Sequence, residues 1–295
     1  MKHIERLILL HCMPCISHAD RISLAESKES RSQLLARLSR QQGVRAWSCS
    51  QVLASCASFS EWLRYPVNHV LSWFDEEYPA LLREIPDPPL LLTYVGQEPR
   101  FSDCITIVGA RQPSMASARQ AFTFASGCAR SGLAVVSSFA RGIDREVLCG
   151  SQVARGRSIA VLGSGLDCLR MMNRRSVCKF LLGGGTFLSE CHPRAKPLYW
   201  RFPLRDRIIS ALSPLTVVMK TPHGSGAITV ARCALDQGRD VVVHSSALEG
   251  EGGEGSCHLV DCGAPVIFSP DDLMQGSLYP TASPWYTFGN GCTEP

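Results

Sequence analysis

CITIVGARQPS, residues 104–114, begins with five apolar or β-branched residues and then breaks into glycine, arginine and proline. A strand that is apolar along its whole length leaves no face for water, so it belongs inside a parallel sheet covered on both sides. The pattern recurs at LAVVSS (133–138), SIAVLGSG (158–165), TVVMK (216–220) and DVVVH (240–244), with a shorter candidate at PVIF (265–268). Helical patterns separate these runs at 117–132, 144–156, 174–184 and 226–238. Alternation of this kind predicts an α/β fold, a Rossmann-like parallel sheet with helices on both faces, over residues 73–272.

Outward from that core the patterning changes. Residues 1–72 read as a small helical domain, of the SAM or helix-hairpin-helix kind, with SRSQLLARLSRQQG (30–43) ending at a glycine cap. The connector YPALLREIPDPPLLLTYVG (78–96) is expected to be largely extended, because each proline biases its predecessor away from helix. Residues 273–295, rich in Gly, Pro and Ser, read as an irregular tail.

Composition narrows the class. With 45% hydrophobic and 19% charged residues, the chain of 295 can bury a sizeable core, and a net charge of +4 does not by itself announce a nucleic-acid binder. Most of the 30 cations are arginine, whose planar fork suits phosphates better than the point charge of lysine. The fourteen cysteines form no framework. Cys104, Cys128, Cys149, Cys178 and Cys233 stand singly in apolar runs, as small buried hydrophobes in a reducing cytoplasm would. His11, Cys12, Cys15 and His18 have spacing that zinc could use, but no second pair follows, and no metal or cofactor is expected. The N-terminal MKHIERLILLHCMPC has Glu5 and Arg6 against a short apolar run and reads as a first helix, not a signal. No stretch reaches the ~18 apolar residues of a membrane span.

Ligands of an open parallel sheet bind beyond the carboxyl ends of its strands. The loops there are GARQPS (109–114), SSFARGID (137–144), GSGLD (163–167), FPLRDR (202–207) and TPHGSG (221–226). Glycine admits a close anion, each loop feeds a helix N-terminus, and Arg111, Arg141, Arg205 and Arg207 add charge, which together describes a phosphate groove. FPLRDRIISALS (202–213) is expected to start a helix with Arg205 and Arg207 in or just before the first turn. Cations at that end are unfavourable, so Asp206 is expected to cap the helix or to pair with one of them. Nucleotide motifs fail: GSGLDC lacks the third glycine of G-x-G-x-x-G, and no G-x-x-x-x-G-K-[ST] exists. The acidic GEGGEGS (250–256) is expected to be a mobile turn.

Residues from about 74 to 268 resemble the DNA-processing protein A family (DprA, also called Smf). The residues that carry the resemblance are YPALLREIPDPP, IVGARQPS, SSFARGID, AVLGSGLD, SE (189–190), FPLRDRIISALS and SGAITVARCALDQGR, in the family's order and spacing. The resemblance implies a Rossmann-like core that binds single-stranded DNA, forms dimers, displaces single-strand-binding protein and loads RecA in the uptake of transforming DNA. It implies no catalysis. The DNA contacts it implies are Arg111, Ser114, Ser137, Ser138, Gly142, Arg205, Arg207 and Ser225, with Gly109, Arg141 and Gly163 in the same loops. This chain departs from the pattern at Ser138-Phe139, at Asp206 where the family has Asn, and at Met219-Lys220. The family's winged-helix module is expected to have no room after Asp272. Two alternatives stand beside this reading. One is a nucleoside-monophosphate hydrolase of a related Rossmann-like class, although Val230 replaces its catalytic Glu. The other is a scaffold with weakened DNA binding.

Overall fold

A computed structural model describes residues 2–13, 16–40 and 49–274. Four helices come first: α1 (His3–Cys12), α2 (His18–Glu26), α3 (Arg31–Arg40) and α4 (Cys49–Trp62). They are followed by β1 (Asn68–Ser72), the single turn α5 (Ala80–Arg83) and β2 (Leu91–Gly96). The alternating part runs β3 (Cys104–Val108), α6 (Met115–Arg130), β4 (Ala134–Ser138), α7 (Ile143–Val153), β5 (Ser158–Val161), α8 (Arg174–Leu182) and β6 (Gly185–Ser189). It continues through α9 (Arg201–Ala211), β7 (Leu215–Val218), α10 (Gly226–Asp236), β8 (Asp240–His244), α11 (Glu254–Asp261), β9 (Val266–Ile267) and α12 (Asp271–Met274). The antiparallel strands are ordered β1-β2-β6 and the parallel ones β5-β4-β3-β7-β8-β9. Among the described residues no helix is long and apolar enough to cross a membrane.

The chain divides into two compact units, and the expected boundary at residue 72 falls inside the first, which holds Met1–Glu98, Leu162–Lys179 and Thr186–Arg205. Its core is helical. Leu7, Ile8, Leu9 and Leu10 of α1 are all buried, so that turn of the helix is enclosed on every side. They share one cluster with Val52 and Phe59 of α4 and with Leu90 and Leu91. Phe59 is fully buried, with the His11 and His192 rings edge-on to it at 5.6 Å each. β1 and β2 pair antiparallel, and so do β2 and β6. The connector 78–96 is therefore not extended throughout: it contains α5 and then an interior strand.

Burial, aided by the positive charge of Arg21 and by His192, pushes the His11 imidazole down to about 3. The unfolded chain protonates this ring near 6.5, so between those values it binds a proton that the folded chain refuses. Stability therefore falls as pH drops through that window. By pH 5 the loss is about 2 kcal/mol. Urea denaturation at pH 7 and pH 5 measures it, and His11→Gln is expected to flatten the difference; an equal pH dependence in both proteins would refute the assignment.

The second unit holds Pro99–Val161, Phe180–Gly185 and Asp206–Pro295. Its strands are all parallel, in the order β5-β4-β3-β7-β8-β9. Ile105 and Ile107 join a buried cluster with Phe124 and Ala125 of α6, Val147 of α7 and Val217 of β7. Thr106 between them points to the other face, where its hydroxyl donates to Ile209 O of α9 at 2.8 Å. Both faces of β3 are thus covered, which is why its sequence shows no polar alternation. Cys104 and Cys128 are buried and their thiols are pushed up to about 12 by that burial. Cys178 instead faces solvent on α8, and Cys149 and Cys233 are half-buried.

Candidate nucleic-acid interface

Numbered from β3, the order β5-β4-β3-β7-β8-β9 is the doubly wound arrangement 3-2-1-4-5-6. After β3 the chain winds to one side of the sheet, and after β7 it winds to the other. The crevice beyond their carboxyl ends is where such sheets bind ligands. Two backbone hydrogen bonds hold its walls together: Met219 N donates to Val108 O and Ala110 N to Lys220 O, both at 2.9 Å.

The loops after β3 and β4 are fused. Ile143 N donates to Ala110 O at 3.0 Å. Gly109 N donates to Asp144 Oδ1 at 3.1 Å, and the other carboxylate oxygen of Asp144 accepts from the Ser138 hydroxyl. Gly142 lies flat on the neighbouring loop with φ +87°, and a Cβ there would stand 2.3 Å from Ala110 O and 2.6 Å from Arg111 O. Only glycine satisfies both the conformation and the approach. Fusion brings the backbones of Arg111 and Gly142 into contact and leaves the side chains of Arg111 and Arg141 exposed. Among the described residues neither arginine makes an ion pair.

Three helices begin at this edge. Ser114 caps α6, its hydroxyl accepting from Ser117 N at 3.1 Å. Ser225 sits at the N-cap of α10 with its hydroxyl bonded to that of Thr221. Neither α6 nor α10 has an acidic residue in its first turn, so the positive ends of both helices remain available to an anion. α7 carries Asp144 and Glu146 there, and Asp144 is used inward.

Several residues singled out by sequence lie elsewhere than expected. The Ser137 hydroxyl is fully buried and donates to Ile107 O at 2.7 Å, so it belongs to the sheet, not to the loop. Ser138 is buried as well, and besides bonding Asp144 it accepts from Ala140 N at 3.1 Å. Gly163 is buried in the first unit, where a Cβ would meet the Phe202 ring at 3.0 Å. The helix in FPLRDR begins upstream of the motif, at Arg201, which puts Arg205 and Arg207 past the first turn. Proline needs no N–H in a first turn, so Pro203 is accommodated there without the loss of a helix hydrogen bond. Asp206 is consequently an interior helix residue, 5% exposed, and not a cap. Arg205 and Arg207 are half-buried, and the carbonyl of Arg207 accepts from Gln237 Nε2 at 2.9 Å.

Two organising residues were not among the expected contacts. Asp144 ties the first two loops together, though GID had marked only a motif. Lys220 is a buried cation at the end of β7, its ammonium donating to Glu249 O. Gly250, Gly252 and Gly253 lie around its side chain, so GEGGEGS is a wrapped turn leading into α11. Its sequence signal was a lysine ending an apolar strand. Of the histidine–cysteine group near the N-terminus, Cys15 lies outside the described residues, and among those described no cluster is placed to hold a metal.

The sequence pattern of the family described as DNA recombination-mediator protein A matches residues 69–277. Protein Smf of Synechocystis is 36% identical over 205 residues, 68% of this chain and 52% of that protein. The chain thus spans about half the length of that relative. DNA processing protein DprA of Bacillus subtilis is 32% identical over 202 residues, 68% of each chain. The X-ray structure of DNA processing protein A from Streptococcus pneumoniae superposes with a TM-score of 0.68 at 25% identity, covering 92% of both chains. DNA processing protein A from Helicobacter pylori, studied for its single-stranded DNA binding mode, superposes at 0.61 with 24% identity over 70% of this chain and 93% of that one.

Proposed function

The chain belongs to the DNA recombination-mediator protein A family, and from that membership we propose that it binds single-stranded DNA along the fused loops of the second unit. One observation carries this reading. Arg111 and Arg141 are exposed on loops locked together by Gly142, beside helix ends that carry no acid in α6 and α10. Such a surface offers charge-assisted forks and backbone donors to phosphates and nothing shaped for base edges, so sequence preference is expected to be weak. Titration of a labelled oligonucleotide tests it. Log affinity is expected to fall with log salt at ~0.7 per neutralised phosphate. No binding at low salt would overturn the proposal.

The remaining steps belong to the same proposal: handing the strand to RecA, displacing single-strand-binding protein, and acting as a homodimer in the cytoplasm during DNA uptake. Pull-down of RecA with and without oligonucleotide, and light scattering for the dimer, test them separately. We propose a binding role rather than catalysis. Val230, which stands where the related hydrolases carry their catalytic Glu, is 3% exposed in the core of α10. Release of free base from a nucleoside monophosphate would reverse that judgement.

A further inference from the structure

Soluble domains seldom present adjacent large aromatics to water. In the first unit, residues 196–200 (Lys-Pro-Leu-Tyr-Trp) are exposed one after another, with Tyr199 at 90% and Trp200 at 56%. Nor is this a loose strand. Ala195 O accepts from Gly165 N at 2.8 Å and Arg201 donates a guanidinium hydrogen to Lys196 O at 2.6 Å. Arg201 N donates to Leu198 O at 2.9 Å and Phe202 N to Tyr199 O at 3.3 Å, making a tight turn that runs into α9. The Arg201 guanidinium lies 4.7 Å from the Trp200 ring centroid. It covers one side of the ring, so the exposed area belongs to the other side and the edges. Along the chain the segment is positive: Arg194, Lys196, Arg201 and Arg205 lie between Glu190 and Asp206, and of these Arg194 is paired with Glu61 at 2.6 Å.

We propose that Tyr199 and Trp200 form a stacking platform for unpaired nucleobases, with Lys196, Arg201 and Arg205 holding the phosphates on either side. This rests on the single-stranded DNA reading above. Flat rings interleaved with cations match such a strand, because every base has a π-face and every linkage a charge. A protein partner would pair poorly with so dense a set of like charges unless it were acidic.

The test compares a thymidine oligonucleotide with an abasic oligomer of equal length, which keeps the phosphates and lacks the bases. The expected result is that Trp200→Ala weakens thymidine binding ~10-fold and leaves abasic binding unchanged. Trp200→Phe is expected to stay within about threefold of wild type, since a ring is retained. Urea denaturation confirms that both variants fold as wild type does, as expected for a side chain over half exposed. If wild type binds thymidine and abasic oligomers equally, the platform is refuted while the phosphate reading stands. Equal losses on both oligomers, accompanied by dissociation into monomers, would instead place the rings between copies of the chain. If wild type binds neither oligomer, both proposals fall together.

Discussion

Gly142→Ala is expected to destabilise the second unit by about 3 kcal/mol and to remove most of its affinity for single-stranded DNA. The backbone there has φ +87° and ψ −141°, a region that only glycine occupies without strain. Strain is the smaller part of the effect. The added methyl would sit 2.3 Å from Ala110 O, and neither carbonyl nor strand can yield without breaking the bond from Ile143 N to Ala110 O. The two loops would have to part, and Arg111 would move away from Arg141. Gly224→Ala provides the control. Its φ is +68°, yet a Cβ would find nothing within 4 Å, so only the conformational cost of about 1 kcal/mol remains. Denaturation curves of the two variants separate loop fusion from backbone preference, and equal losses would refute the fused-loop account.

Arg111→Ala with Arg141→Ala is the second large effect. Each charge-assisted contact to a phosphate contributes about 1.5–3 kcal/mol, so losing both is expected to weaken binding at least about 100-fold. The salt slope should fall by about 1.4, from two contacts at ~0.7 each. Stability should hardly change, because both side chains are exposed and make no ion pair among the described residues. Lysine at both positions keeps the charge and loses the fork, so the slope should recover more fully than the affinity. An unchanged slope in the alanine protein would move the phosphate contacts elsewhere.

Five of the six parallel strands were legible in the sequence because their burial leaves an unbroken apolar run, and β9, two residues at the sheet edge, showed only as the shorter PVIF. The antiparallel set was not. β1 (NHVLS) opens with two polar residues, β2 lies within a proline-rich connector, and β6 emerges from three consecutive glycines, so each lacks the run that marks the others. The start of α9 was not legible either, since proline inside a first turn resembles proline before one.

Sequence alone determined the Rossmann-like class, the loops that carry glycine and arginine, and the family, since all of these reside in local composition and spacing. Tertiary structure decided which loops meet and which side chains reach the surface. Strand order places β7 beside β3 although a long stretch of chain separates them, and non-local pairing of this kind leaves no local signal. The same limit applies to the serines. Ser114 and Ser137 are equivalent as letters in a loop motif, but one caps a helix at the edge and the other spends its hydroxyl on Ile107 O inside the sheet. Register, with side chains alternating between faces at every residue, made that choice.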